Sequence, residues 1–217
     1  MGAVLLPAFY ARPTLDVARD LIGKVLVHVT PAGIAAGRIV EVEAYIGESD
    51  AACHAASGLT PRNAPLYGPP GRAYVYLSYG MHYLVNAVTE PEGSPAAVLI
   101  RSLEPLDGLA LMRQRRTRGA GRRRRVLADL DLCLGPGNLS RALGISIKQS
   151  RFDLCGGQMF IEVRGPGDVP VEWGPRVGIS VATRRLWRCY ASDNPYVSTA
   201  GGRARRSRRS RAADRLG

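Results

Sequence analysis

Two stretches decide the fold, KVLVHVT at residues 24–30 and GRIVEVEAYI at residues 37–46. Both alternate apolar and polar residues with a period of two, and Pro31-Ala32-Gly33 between them is turn chemistry, so the pair reads as an antiparallel hairpin. Side chains alternate across a strand, which puts Glu41, Glu43 and Tyr45 on one face and Val40, Val42 and Ala44 on the other. One face is apolar and the other carries two carboxylates and a phenol. By itself this is what any antiparallel strand with a wet outer face shows, and it does not choose between the carboxylates.

Working outward, Thr14 precedes Leu15, Ala18, Leu21 and Ile22 at helical spacing that stops at Gly23, so a short helix is expected with Thr14 as its N-cap. Residues 47–72 are rich in Gly, Pro and small polar residues, with one helical turn around 49–56. A loop this long inside a domain lines a site more often than it merely connects. AYVYLSY (73–79), Gly80-Met81 and HYLVNAVT (82–89) read as a second hairpin, followed by a strand AAVLIRS at 96–102. Residues 106–130 read as helix interrupted at Gly119 and Gly121, and Gly135-Pro136-Gly137 opens a short helix ending at Gly144. Residues 158–164 and 176–183 are expected to be further strands. Hairpins followed by helices define an α+β fold, a single domain over 1–198 with an Arg-rich tail, 199–217, expected to be disordered.

The 217 residues are 46% hydrophobic and 22% charged, as in a folded globular domain, and no apolar run is long enough to span a membrane. Met-Gly-Ala-Val-Leu-Leu-Pro has neither a basic n-region nor a myristoylation pattern, so a cytoplasmic location is expected, at the nucleoid if the source is bacterial. Cys53, Cys133, Cys155 and Cys189 lie far apart without C-x-x-C, and His28, His54 and His82 lack paired spacing. No disulfide framework, metal site or cofactor is expected. The net charge of +12 is concentrated: residues 113–125 hold eight arginines and no acid, and 203–217 hold seven arginines against Asp214. Such runs attract phosphate, although solvated charge is the bland alternative, and the run at 113–125 is the better candidate because ordered segments flank it.

In the second hairpin Tyr74, Tyr76 and Ser78 share a face, and Tyr79 stands beside the turn. Tyr74 reads as core packing. A ring at a hairpin tip, on a cationic protein, offers a wedge for a gap in a base stack, and Tyr45, His54 and Tyr76 offer flat faces for a base.

These segments resemble the methylpurine (3-methyladenine, alkyladenine) DNA glycosylases over roughly residues 8–198. The resemblance runs through ARDLIGKVLVH, GRIVEVEAYIG, DAACHA, TPRN, YGPPGRAYVYLSYGMH, VLIRSLEP, LCLGPGNL and PRVGI in one order. It implies a curved, largely antiparallel sheet flanked by helices, with a protruding hairpin that enters the DNA minor groove. It also implies that Glu43, not Glu41, activates the attacking water, with Arg101 beside it. Tyr45, His54 and Tyr76 are implied to stack on the extruded base, Asn86 to exclude normal guanine, and Tyr79 to fill the gap in the duplex. The implied partner is double-stranded DNA carrying damaged purines, met by a monomer.

A glycosylase that also cuts the strand needs an amine nucleophile. The chain has only Lys24 and Lys148, neither near Glu43 in the motifs, so monofunctional hydrolysis is expected. Two other readings stand beside it: a non-catalytic nucleic-acid-binding module on the same fold, and a helix-hairpin-helix contact at Gly135-Pro136-Gly137.

Overall fold

A computed structural model of the chain describes residues 2–118, 127–165 and 169–198. The Arg-rich tail and residues 119–125 of the arginine run lie outside the described residues.

The first expected helix forms as α2 (Thr14–Leu21), after a single turn, α1 (Pro7–Tyr10). It buries Val17, Ala18 and Leu21, and complete burial of one leucine contributes roughly 1.5–3 kcal/mol. Thr14 is not its N-cap. Pro13 holds that position without a side-chain acceptor, and Thr14 is the first helical residue. The cap comes instead from Glu90, whose carboxylate accepts from the Thr14 N–H and hydroxyl, each at 2.8 Å. A distant side chain thus replaces the local one.

The strands are β1 (Ala3–Val4), β2 (Val25–Thr30), β3 (Gly33–Ile46), β4 (Ala73–Ser78), β5 (His82–Val88), β6 (Ala96–Asp107), β7 (Met159–Val163), β8 (Val171–Gly174) and β9 (Arg188–Ala191). They form one open antiparallel sheet in the order β1-β7-β2-β3-β6-β5-β4, with β9 pairing β3 and β8 pairing β9. The fold is the expected α+β domain. Strand β3 organises it: its first half pairs β2, residues 41–43 pair β9, and β6 runs along its other edge. Val40, Val42 and Ala44 enter the main core with Ile100, Leu103 and the packed helices α3 (Leu109–Thr117), α4 (Asp129–Leu132) and α5 (Pro136–Leu143).

The expected strand at 176–183 does not form. The segment is a bent loop between β8 and β9. The N–H of Val177 is given to a carboxylate on β3 rather than to a neighbouring strand.

Candidate active site

Cross-strand partners share a sheet face, so the registers set Tyr74, Asn86, Leu99, Glu43 and Arg188 in one row across β4, β5, β6, β3 and β9. Val88, Ala97 and Tyr45 form the next row. Between Ile39 and Val42 the pairing of β3 with β6 steps twice: Ile39 faces Leu103 and Glu41 faces Ser102, and then Val42 faces Ile100. Val40 and Arg101 are left without partners across this ladder. Bulges of this kind re-aim side chains, and here the Arg101 guanidinium reaches both carboxylates of β3.

Glu43 is buried. Its Oε2 accepts from the Tyr45 hydroxyl at 2.8 Å, and its Oε1 accepts from the Val177 N–H at 2.7 Å and pairs with Arg101 Nη1 at 3.1 Å. Burial, and then the nearby Glu43 charge, push the Tyr45 phenol well above its ordinary pKa, so this hydroxyl keeps its proton and donates.

Glu41 is equally buried but differently engaged. Its Oε1 takes Arg101 Nε at 3.0 Å, Arg188 Nη1 at 3.0 Å and the Ser198 hydroxyl at 2.8 Å, while Oε2 takes the Ser198 N–H at 2.7 Å. The face carrying the two carboxylates is therefore not a wet one: loop 175–187, β9 and residues 194–198 cover it. Sequence reasoning missed this cover because its parts are remote in the chain and individually polar.

A cleft of about 600 Å³ opens on the row, and Tyr45, His54, Tyr76, Asn86 and Arg101 all line it, with Tyr79 at its edge. Glu43 contributes no surface to the cleft. The three residues that touch its oxygens, Tyr45, Arg101 and Val177, all do. The structure thus brings the expected site residues together, with the carboxylate one layer beneath the cavity.

The aromatic side of the cleft is braced. His54 meets Tyr76 edge-on with centroids 4.4 Å apart, and its Nδ1 lies 2.8 Å from the Tyr74 hydroxyl. Tyr74 is buried, as expected of core packing. Desolvation in the cleft, then the Arg62 guanidinium, hold the His54 pKa below that of a free histidine. Burial and the Glu43 charge push the Tyr76 phenol up to about 12. Asn63 of the TPRN segment ties the long loop together, its Nδ2 donating to the carbonyls of His54 and Gly58, each at 2.8 Å. Asn86 donates to the Tyr74 carbonyl at 2.9 Å from the opposite strand.

Tyr79 is 86% exposed, at the tip of the β4–β5 hairpin with Met81 beside it. Its φ of 49° and that of Gly80, 68°, are both left-handed, and they are the central residues of a turn in which the Met81 N–H donates to the Ser78 carbonyl at 3.1 Å. Three of the four described arginines of the 113–125 run do something else, while Arg118 is exposed. Arg115 donates to the Ala142 carbonyl and Thr30 hydroxyl, Arg116 to the carbonyls of Asp131 and Leu132, and Arg113 pairs with Asp129. They tie α3 to the ends of α4 and α5, so a phosphate-binding role for these three is not what the geometry favours.

Among the described residues no group of three or more His, Cys, Asp or Glu side chains could hold a metal ion, and no helix is long and apolar enough to cross a membrane.

The methylpurine-DNA glycosylase family model matches residues 8–195. Proteins named as 3-methyladenine DNA glycosylases are similar to the chain throughout. One from Prosthecochloris aestuarii is 45% identical over 92% of this chain and 93% of its own length. Another, from Methanocella arvoryzae, is 47% identical over 88% and 93%, and a third, from Burkholderia lata, is 46% identical over 91% and 92%.

Proposed function

Since the chain belongs to the methylpurine-DNA glycosylase family, we propose that it removes alkylated purines from double-stranded DNA as a monofunctional, monomeric hydrolase, with Glu43 activating the attacking water. It is a 3-methyladenine DNA glycosylase, an enzyme that cleaves N-glycosidic bonds in DNA repair. The finer reading concerns the lesions and the residues: 3-methyladenine and 7-methylguanine, with hypoxanthine and ethenoadenine as neutral candidates, taken up by extruding the nucleotide from the duplex.

The observation that carries the reading is the fixing of Glu43 beneath an aromatic cleft by Tyr45, Val177 and Arg101. In the proposed step a water entering among these groups gives a proton to Glu43, its oxygen bonds to C1′ of the sugar, and the electron pair of the C1′–N bond leaves with the base. The transition state is oxocarbenium-like, and the carboxylate charge stabilises it. A cationic alkylated purine becomes neutral as it departs, so a second carboxylate acting as acid is not needed. Tyr45, His54 and Tyr76 supply faces for the base, Asn86 opposes the amino group of normal guanine, and Tyr79 fills the vacated stack. Neither Lys24 nor Lys148 lines the cleft, which supports hydrolysis without a Schiff base.

The test is Glu43→Gln on methylated DNA. Release of 3-methyladenine and 7-methylguanine should be abolished with binding to damaged duplex preserved. Near-normal release overturns the role of Glu43, and a wild-type protein that binds but releases nothing favours the non-catalytic module.

A further inference from the structure

Arg176 lies in PRVGI beside Val177, and its own side chain has no assigned part in the chemistry above. Its guanidinium is buried and bound on both terminal nitrogens by Asp50, Nη1 at 2.6 Å and Nη2 at 2.8 Å. Nη1 also donates to the carbonyl of Ala44, at 3.0 Å, between Glu43 and Tyr45 on β3. The guanidinium stacks between two rings, 4.6 Å from the Tyr45 centroid and 5.2 Å from that of Trp187. The next residue, Val177, is the one whose N–H meets Glu43.

We infer that Arg176, locked by Asp50, is a positioning residue for base excision: it fixes the ring plane of Tyr45 and the Val177 N–H, and through them the orientation of the Glu43 carboxylate. The inference rests on the glycosylase reading of the same site.

Three physical points carry it. Two of the Arg176 contacts, the Ala44 carbonyl and the Tyr45 ring, fall on β3 beside Glu43, and the next residue gives its N–H to that carboxylate, so a shift of the guanidinium is felt at both Glu43 oxygens. The pair is also a poor choice for stability alone, because a buried ion pair pays desolvation that apolar residues of similar volume avoid. Its Nε is moreover buried with no hydrogen-bond partner among the described residues, so the group is arranged for the stack and the bidentate pair rather than for complete hydrogen bonding. Reaction rates depend steeply on such placement, with an error of about 1 Å costing on the order of 100-fold.

The experiment compares wild type, Arg176→Lys and the double variant Arg176→Met/Asp50→Leu in single-turnover excision of 7-methylguanine, normalised to correctly folded protein. Affinity for a duplex containing an abasic-site analogue is measured in parallel. The double variant removes both charges at similar volume and so keeps the fold; Arg176→Lys serves if it does not. Excision is expected to slow roughly 10- to 100-fold in each, with duplex affinity within about twofold of wild type. In a Tyr45→Phe background the effect of Arg176→Lys should shrink, since both act through the same carboxylate. A folded variant excising at the wild-type rate overturns the inference, as does a loss in the combined variant equal to the product of the single losses. A wild-type protein without excision activity overturns instead the glycosylase reading on which the inference rests.

Discussion

The hydroxyl of Tyr45 donates to Oε2 of Glu43 at 2.8 Å, joining a ring that lines the cleft to the buried carboxylate beneath it. Tyr45→Phe keeps the ring and deletes this bond. A hydrogen bond to a charged group contributes about 1.5–3 kcal/mol, so single-turnover excision should slow roughly 10- to 100-fold with affinity for abasic-analogue duplex unchanged. An unaltered rate would show that the ring alone matters.

Glu41 should behave differently from its neighbour two residues on. Glu41→Gln removes the charge that Arg101 and Arg188 share inside the protein, and breaking a buried pair costs about 3–5 kcal/mol. Urea unfolding should show a loss of that order, accompanied by slower excision because Arg101 loses its anchor. Wild-type stability would mean that the network relaxes without cost.

Tyr79 is expected to affect DNA and not folding. It is exposed at a left-handed turn position, so Tyr79→Ser should leave the melting temperature within a few degrees of wild type. Stacking on a base is worth about 1–3 kcal/mol, so binding to duplex with a flipped or missing base should weaken roughly tenfold. Unchanged affinity removes the wedge.

Histidine 28 gives a pH dependence with a definite sign. Burial pushes the His28 pKa down, against a hydrogen bond at 2.9 Å to the Leu143 carbonyl that raises it. The unfolded chain therefore binds the proton first as pH falls below about 6.5, so stability is level above that value and declines below it toward the lowered folded pKa. Thermal unfolding between pH 8 and pH 5 should show the decline, and His28→Gln should lessen it, leaving the share of His54, whose pKa is also lowered. Equal slopes in the two proteins would assign the decline to other groups.

The arginines of α3 offer a test of where DNA is gripped. Arg116→Ala breaks contacts to the Asp131 and Leu132 carbonyls, so it should lower stability while leaving the salt dependence of DNA binding as it was. A shallower slope of log affinity against log salt would place a phosphate at Arg116.

Much of this protein is settled within the reach of a few residues. Period-two alternation and turn chemistry specify both hairpins, and the Gly and Pro punctuation marks the loop at 47–72 and the helix Pro136–Leu143, because these depend on local backbone preference. Motif resemblance pointed to Glu43 and its aromatic companions. Tertiary structure decided what pairing at long range alone can decide. It buried Glu41 against Arg101, Arg188 and Ser198, 60, 147 and 157 residues away, where the strand suggested a wet face. Residues 176–183 became a loop because Val177 and Arg176 are spent on Glu43 and Asp50, which lie 134 and 126 residues back. It also supplied the Thr14 cap from Glu90 and took Arg113, Arg115 and Arg116 for helix ends. A charge records in sequence only that it needs a partner; which partner it finds depends on the contacts the fold brings within a few ångströms.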